Sequence, residues 1–253
     1  SKRKMLYLSE TISKYSSRPP DKVKVEVVSS KVSGQSDGYG LSAPQFFSFY
    51  ENNISIGNNL NPRGFISPIS DNALNFYRYK FEGSFFEDNI HISRIKVIPK
   101  RKYEPLFSGY INIVEDDWRI HSVQLELTKQ SQMEILDTLR IEQLYIPIDK
   151  DTWFISSQVI YPSIKIFGFD AYGSFVNIYS DINVDPTFTK KTFNNTILKY
   201  TDSSNKRTKE YWDKNRPIPL LTDELSDYKK KDSLELLKKD PAYLDSLDKR
   251  RNK

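Results

Sequence analysis

The feature that most constrains this chain is a period-two alternation of apolar and polar residues that starts near Asn75 and resumes after each turn to Tyr179. Tyr77, Tyr79, Phe81, Gly83 and Phe85 share one face of an extended strand, while Arg78, Lys80, Glu82 and Ser84 share the other; this is the pattern of a half-buried strand. Glu87-Asp88-Asn89 turns the chain, and Ile95 and Val97 alternate with Arg94 and Lys96 on the return, which makes a hairpin. The device repeats with Phe107 to Val114, the acidic turn Glu115-Asp116-Asp117, and Trp118 to Leu127. Along that last strand Trp118 and Ile120 are out of phase with Val123, Leu125 and Leu127, so a β-bulge is expected near His121. Leu139 and Ile141 alternate with Thr138, Arg140 and Glu142; Asp149-Lys150-Asp151 then turns into Trp153 to Tyr161, and another strand runs from Ile164 to Tyr179.

Six or so consecutive strands joined by short turns leave no room for crossover helices. The expected fold is therefore mostly β: a curved antiparallel meander sheet packed on a few helices, with a helical C-terminal tail. Sixteen Tyr and fifteen Phe against nine Gly agree with a sheet, because aromatics favour pleated, half-buried surfaces.

The flanks are less regular. β-like runs surround Leu6 and Leu8 and cover Val23 to Val28, with Pro19-Pro20 breaking the ladder between them. Gly34 to Gly40 is a Gly/Ser-rich loop, Gln45 to Ile54 is an aromatic segment expected to be helical, and Asn61-Pro62-Arg63-Gly64 is a tight turn. After Pro186 the chain is polar and irregular, and from Thr222, a plausible N-cap before Asp223 and Glu224, it is helical in composition. The expected division is a sheet domain over 1–221 and a charged helical linker over 222–253. Leu234, Leu237, Leu244 and Leu247 form its narrow apolar stripe, and Lys229-Lys230-Lys231 is read as a solvated face.

With no cysteine, thiol nucleophiles, thiolate metal sites and disulfides are excluded. The only histidines, His91 and His121, have no metal-ligand spacing, and no dinucleotide or phosphate loop occurs, so neither metal nor cofactor is expected. Gly34-Gln35-Ser36-Asp37-Gly38 matches the G-x-S-x-G string of serine hydrolases, which requires a strand before it and a helix after it. Tyr39-Gly40 and Pro44 oppose that helix, so Ser36 is expected to be exposed on a loop, with hydrolysis as a distant alternative. The paired acids fall in turns, as turn chemistry favours. Arg94, Lys96, Lys100, Arg101 and Lys102 are read as charge protecting a strand edge, and no nucleic-acid partner is expected from 38 basic against 33 acidic residues.

Several strings are too particular to arise from composition: Ser29-Ser30-Lys31-Val32-Ser33-Gly34, Arg63-Gly64-Phe65-Ile66-Ser67-Pro68-Ile69, Tyr77-Arg78-Tyr79-Lys80, Pro99-Lys100-Arg101, Trp118-Arg119-Ile120-His121-Ser122, Tyr211-Trp212 with Arg216-Pro217-Ile218-Pro219-Leu220, and Tyr243-Leu244-Asp245-Ser246-Leu247-Asp248. In this order they resemble, over nearly the whole chain, the Bacteroidota envelope proteins of domain of unknown function 5686. In that family a small carboxypeptidase-regulatory-like domain precedes such a segment and an outer-membrane β-barrel follows it. The resemblance implies placement on the periplasmic side of the outer membrane and a barrel in the same chain as partner. It implies no activity. The succession of hairpins is also similar in pattern to the half-barrel of periplasmic lipoprotein carriers.

Two functions follow as expectations. One is a non-enzymatic interaction or assembly module of the cell envelope. The other is a hydrophobic-ligand binder, holding a lipid acyl chain against Tyr79, Phe81, Phe85, Ile111, Leu125, Leu139 and Ile141 on the concave face of the sheet.

Overall fold

The computed structural model describes residues 5–19, 22–40, 46–57, 60–166, 168–189, 191–194 and 196–241. In chain order the strands are β1 (Ser9–Arg18), β2 (Lys22–Val32), β3 (Asn53–Ile54), β4 (Phe65–Ile66), β5 (Tyr77–Glu87), β6 (Ile90–Pro99), β7 (Ser108–Val114), β8 (Ile120–Thr128), β9 (Thr138–Pro147), β10 (Trp153–Ile166), β11 (Phe169–Tyr172), β12 (Phe175–Ile178) and β13 (Leu198–Tyr200). The helices are α1 (Ala73–Phe76), α2 (Lys209–Asn215) and α3 (Thr222–Lys239). The chain forms two compact units, one of Ser1–Ala43 with Pro186–Lys253 and the other of Pro44–Asp185.

The second unit holds the expected meander. Its eight strands form one open antiparallel sheet in the order β11-β10-β9-β8-β7-β6-β5, with β12 sharing the β10 edge. Ile111, Val123, Leu125, Leu139 and Ile141 point to one face, as their alternation requires, and are buried there. The segment before the sheet covers that face. Residues 46–54 are not helical, contrary to expectation: Phe47 and Phe49 alternate inward with Ser48 and Tyr50 between them, and β3 pairs with β4. This non-helical lid sets Phe46, Phe47 and Phe49 against the sheet and turns at Ser48–Glu51, where Glu51 N–H donates to the Ser48 carbonyl at 3.2 Å. The Asn61–Gly64 turn forms as expected, with Gly64 N–H donating to the Asn61 carbonyl at 3.0 Å and Gly64 at φ 69°.

Polar groups inside this core are paired with one another. Gln143 Nε2 donates to the Phe47 carbonyl at 3.0 Å and to Gln158 Oε1 at 2.7 Å, and Tyr145 O–H donates to Gln143 Oε1 at 2.8 Å. The network ties the lid to β9 and β10, and burial pushes the Tyr145 hydroxyl up.

The first unit is a three-stranded sheet, β1-β2-β13, in which β1 and β2 are antiparallel and β13 runs parallel to β2. Its hairpin turns between Arg18 and Lys22, at the expected proline break. The expected boundary at 221/222 is corrected, because α3 packs into this unit and is not a separate linker. Leu234 and Leu237 do not dock it; they are 51% and 45% exposed, and Leu244 and Leu247 lie outside the described residues. The docking face is polar. Asp227 accepts from Ser33 Oγ at 2.8 Å, Asp232 from Gly34 N–H at 2.8 Å, and Glu235 from Ser36 N–H at 2.9 Å, while Tyr228 is buried between them. Lys229 and Lys230 face solvent as expected, but Lys231 turns inward and donates to the Met5 carbonyl at 3.0 Å. A carboxylate row on one helix face thus satisfies the backbone donors of a loop that has few donors' partners of its own. Arg216 holds α2's end to β1 through a two-pronged pair with Glu10.

Candidate functional site

Three strand pairs of the large sheet carry a register shift. Each leaves one residue without a cross-strand partner: Glu82 in β5, His121 in β8 and Ser156 in β10. A bulge changes the phase of the residues beyond it. Tyr79 and Phe81 pair with Val97 and Ile95 on the core side, but after the bulge Phe85 pairs with Ile92, on the opposite face. The expectation that Phe85 shares a face with Tyr77 is therefore corrected. In β8 the bulge lets Ile120 pair with Ile113 in the core while His121 turns outward. In β10 it places Ser157 outward. All three re-aimed side chains, Phe85, His121 and Ser157, line one depression of ≈ 280 Å³ on the face of the sheet away from the core.

Asn112 and Ser122 face each other across β7 and β8 on its floor, and Asn112 Nδ2 donates to Ser122 Oγ at 2.8 Å. Ser122 Oγ lies 3.3 Å from His121 Nδ1, and His121 Nε2 lies 3.8 Å from Glu87 Oε2. His121 thus stands between the Ser122 hydroxyl at one ring nitrogen and the Glu87 carboxylate at the other. Adjacent strand residues ordinarily point to opposite faces, so the His121–Ser122 contact exists only because of the bulge. Asn112 is 6% exposed, and its Oδ1 has no hydrogen-bond partner.

The sequence-based ligand set is not one surface. Ile111, Leu125, Leu139 and Ile141 are interior members of the packed cluster and do not line the outer depression. Tyr79 and Phe81 lie at the margin of the core face, 37% and 63% exposed, with Tyr79 O–H donating to the Pro68 carbonyl at 2.6 Å. Phe85 stands on the other side. Of the residues of the outer depression only Phe85 belonged to the expected ligand set, and only His121's bulge was expected; Asn112, Ser122 and Glu142 were missed because they read as ordinary solvent-side positions.

Ser36 is exposed, as expected. Its hydroxyl donates to Glu235 at 2.8 Å and accepts from Lys239 at 2.7 Å. Its loop follows β2, and residues 37–40 after the serine are not helical, so Ser36 does not stand at the strained strand-to-helix elbow. The Glu235 carboxylate beside Lys239 raises the ammonium above its usual range, so Lys239 keeps its proton and is no base for Ser36. His91 Nδ1 pairs with Glu115 at 2.8 Å, and its ring stacks on Phe86, its cross-strand partner beside the β5–β6 turn. Among the described residues no group of three or more His, Asp or Glu suited to a metal ion occurs, and no helix is long and apolar enough to cross a membrane.

One further residue stands out. Trp118, expected to open a strand, sits instead in the β7–β8 turn at φ 56° and is 79% exposed. A bulky side chain in that region of φ is strained. Phe86, 72% exposed, lies on the β5–β6 hairpin at the same end of the sheet, where Glu115 N–H donates to the His91 carbonyl.

An open antiparallel meander sheet with its apolar face sealed by a non-helical lid, joined in one chain to a small sheet clamped by helices, defines the class. The chain belongs to the family of unknown function DUF5686, whose model matches residues 1–182. The strings from Tyr211 onward that carried part of the resemblance lie beyond that match. No curated protein and no solved structure matches the chain.

Proposed function

We propose that the chain is a non-enzymatic interaction module of the cell envelope, working on the periplasmic side of the outer membrane beside a β-barrel of the same chain. Trp118 carries this reading. The fold holds a large ring in solvent in a strained conformation, a cost without return inside the unit itself, and exposed Trp is the residue type most often central to a binding surface. Phe86 at the same end supplies a second exposed ring. The turns around them are acidic, with Asp88, Asp116 and Asp117, which favours a partner surface bearing Lys or Arg. The resemblance of the quoted strings to envelope proteins in which a β-barrel follows such a segment supports the envelope placement. An acyl chain in the interior is disfavoured, since the four buried residues of that set are packed against the lid.

The test is a photo-crosslinking amino acid at position 118 or 86 in the full-length protein, expressed in its own cells. Crosslinks to an envelope protein, or to the barrel of the same chain, from both positions and not from exposed Leu236 are expected. Trp118→Gly should abolish the crosslinks from position 86 while leaving stability equal or higher, because Gly relieves the φ strain. Fractionation with the cytosol, or crosslinks that survive Trp118→Gly, would overturn the reading.

A further inference from the structure

Independently of where the protein works, we infer that the outer-face depression is a binding site for a neutral, hydroxyl-rich ligand, a sugar ring of a glycan. Three observations carry this. First, three separate bulges deliver Phe85, His121 and Ser157 to the same ≈ 280 Å³ depression. A bulge interrupts the ladder and is retained where it re-aims a side chain, and three converging on one place mark a built site.

Second, the polar lining is short of cations. No Lys or Arg lines the depression; the neighbouring Arg94 and Arg140 are drawn over the rings of Tyr110 and Tyr161, at 4.1 and 4.4 Å, and Arg140 Nε also pairs with Glu142 Oε1 at 3.2 Å. Glu87 and Glu142 line it instead, together with Ser122 and Asn112. The relay from Asn112 through Ser122 to His121, beside Glu87, engages three polar side chains of its floor, while along the rest of the lining the Glu87 and Glu142 carboxylates can accept and the Gln124 amide and Ser157 hydroxyl can donate. An anion is repelled by such a lining. A polyol, which brings several O–H donors and no charge, completes it.

Third, the ring of Phe85, 37% exposed, stands beside apolar Leu144 and Val159 along the same depression. Such a surface takes the C–H face of a pyranose while the carboxylates take its hydroxyls, the combination of apolar wall and few convergent polar groups that small-ligand sites use. The volume suits a single ring of a longer chain lying across the open face.

The experiment is saturation-transfer NMR on the full chain with cellobiose, maltose, lactose and diacetylchitobiose as probes, at millimolar concentration. Transfer to the ring protons of at least one disaccharide is expected. Phe85→Ala and Glu87→Gln, both at partly exposed positions, should each weaken that affinity about tenfold or more, with the thermal unfolding curve unchanged. Absence of transfer from all four probes, or transfer that survives Phe85→Ala and Glu87→Gln, overturns the proposal. So does perturbation of the His121 ring resonances by inorganic phosphate, which would show an anion site.

Discussion

A Cβ built on Gly34 would stand 2.7 Å from the Cβ of Lys231, so the loop after β2 and the helix α3 meet with no room for a methyl group between them. Gly34 also has φ +72°, a conformation that L side chains rarely adopt. Gly34→Ala is expected to destabilise the first unit by about 2–4 kcal/mol, combining backbone strain with the forced retreat of α3. Gly57→Ala is the reference: it shares a positive φ of +58°, but its nearest neighbour is 3.8 Å away, so it should cost only about 1–2 kcal/mol. Equal losses in urea unfolding would show that the close approach contributes nothing.

Ending the chain at Leu221 removes the buried Tyr228 and the acceptors that Asp227, Asp232 and Glu235 offer to Ser33, Gly34 and Ser36. The small sheet should lose about 2–5 kcal/mol of stability. An unchanged unfolding transition of that sheet, followed by exchange protection of the β2 amides, would restore the reading of α3 as a linker.

The Glu235 carboxylate is held down at about 2, first by the Lys239 ammonium and next by the backbone N–H of Ser36. Its value in the folded protein lies below the ordinary 4.5, so its contribution is complete above about pH 4.5 and is lost as pH falls toward about 2. Wild-type protein should therefore be more stable than Glu235→Gln at neutral pH, and the two stability curves should converge through that acid window. Parallel curves from neutral pH to the acid limit would sink the assignment.

Gln143→Leu would leave Gln158 Oε1, the Tyr145 hydroxyl and the Phe47 carbonyl without the partners that Gln143 supplies. A loss of about 2–4 kcal/mol is expected, against about 1 kcal/mol for Tyr145→Phe, which leaves the bonds of Gln143 to Gln158 and to the Phe47 carbonyl in place. Denaturant midpoints of the two variants decide it, and a Gln143→Leu protein as stable as wild type would show that the network is dispensable.

Much of the large sheet was legible in its residues. Leu125 and Leu127 face inward and Gln124 and Glu126 outward in the alternation that a pleated strand imposes, and the acidic turns close hairpins where expected. Even the bulge at His121 was readable, because Trp118 and Ile120 break phase with the residues after them. The bulge at Glu82 was not, since Gly83 has no side chain to reveal a phase change and Phe85 fits either face. The candidate site was mostly illegible for the same reason: polar residues on a solvent face look alike until the strands carrying them are placed side by side.

The sequence by itself therefore determined the class of fold, the order of strands and the side of the sheet that becomes core, because local alternation and turn chemistry act over a few neighbouring residues. Only the tertiary structure decided where distant segments meet. The docking of α3 on the loop at Gly34 joins residues nearly two hundred positions apart through carboxylates and backbone N–H groups, and every helix with a charged face offers the same carboxylates. The lid's non-helical form was decided in the same way, by the sheet that Phe47 and Phe49 had to fill. Hydrophobic periodicity carries information about one element at a time, whereas the partner of a buried polar group is chosen by the assembled surface around it.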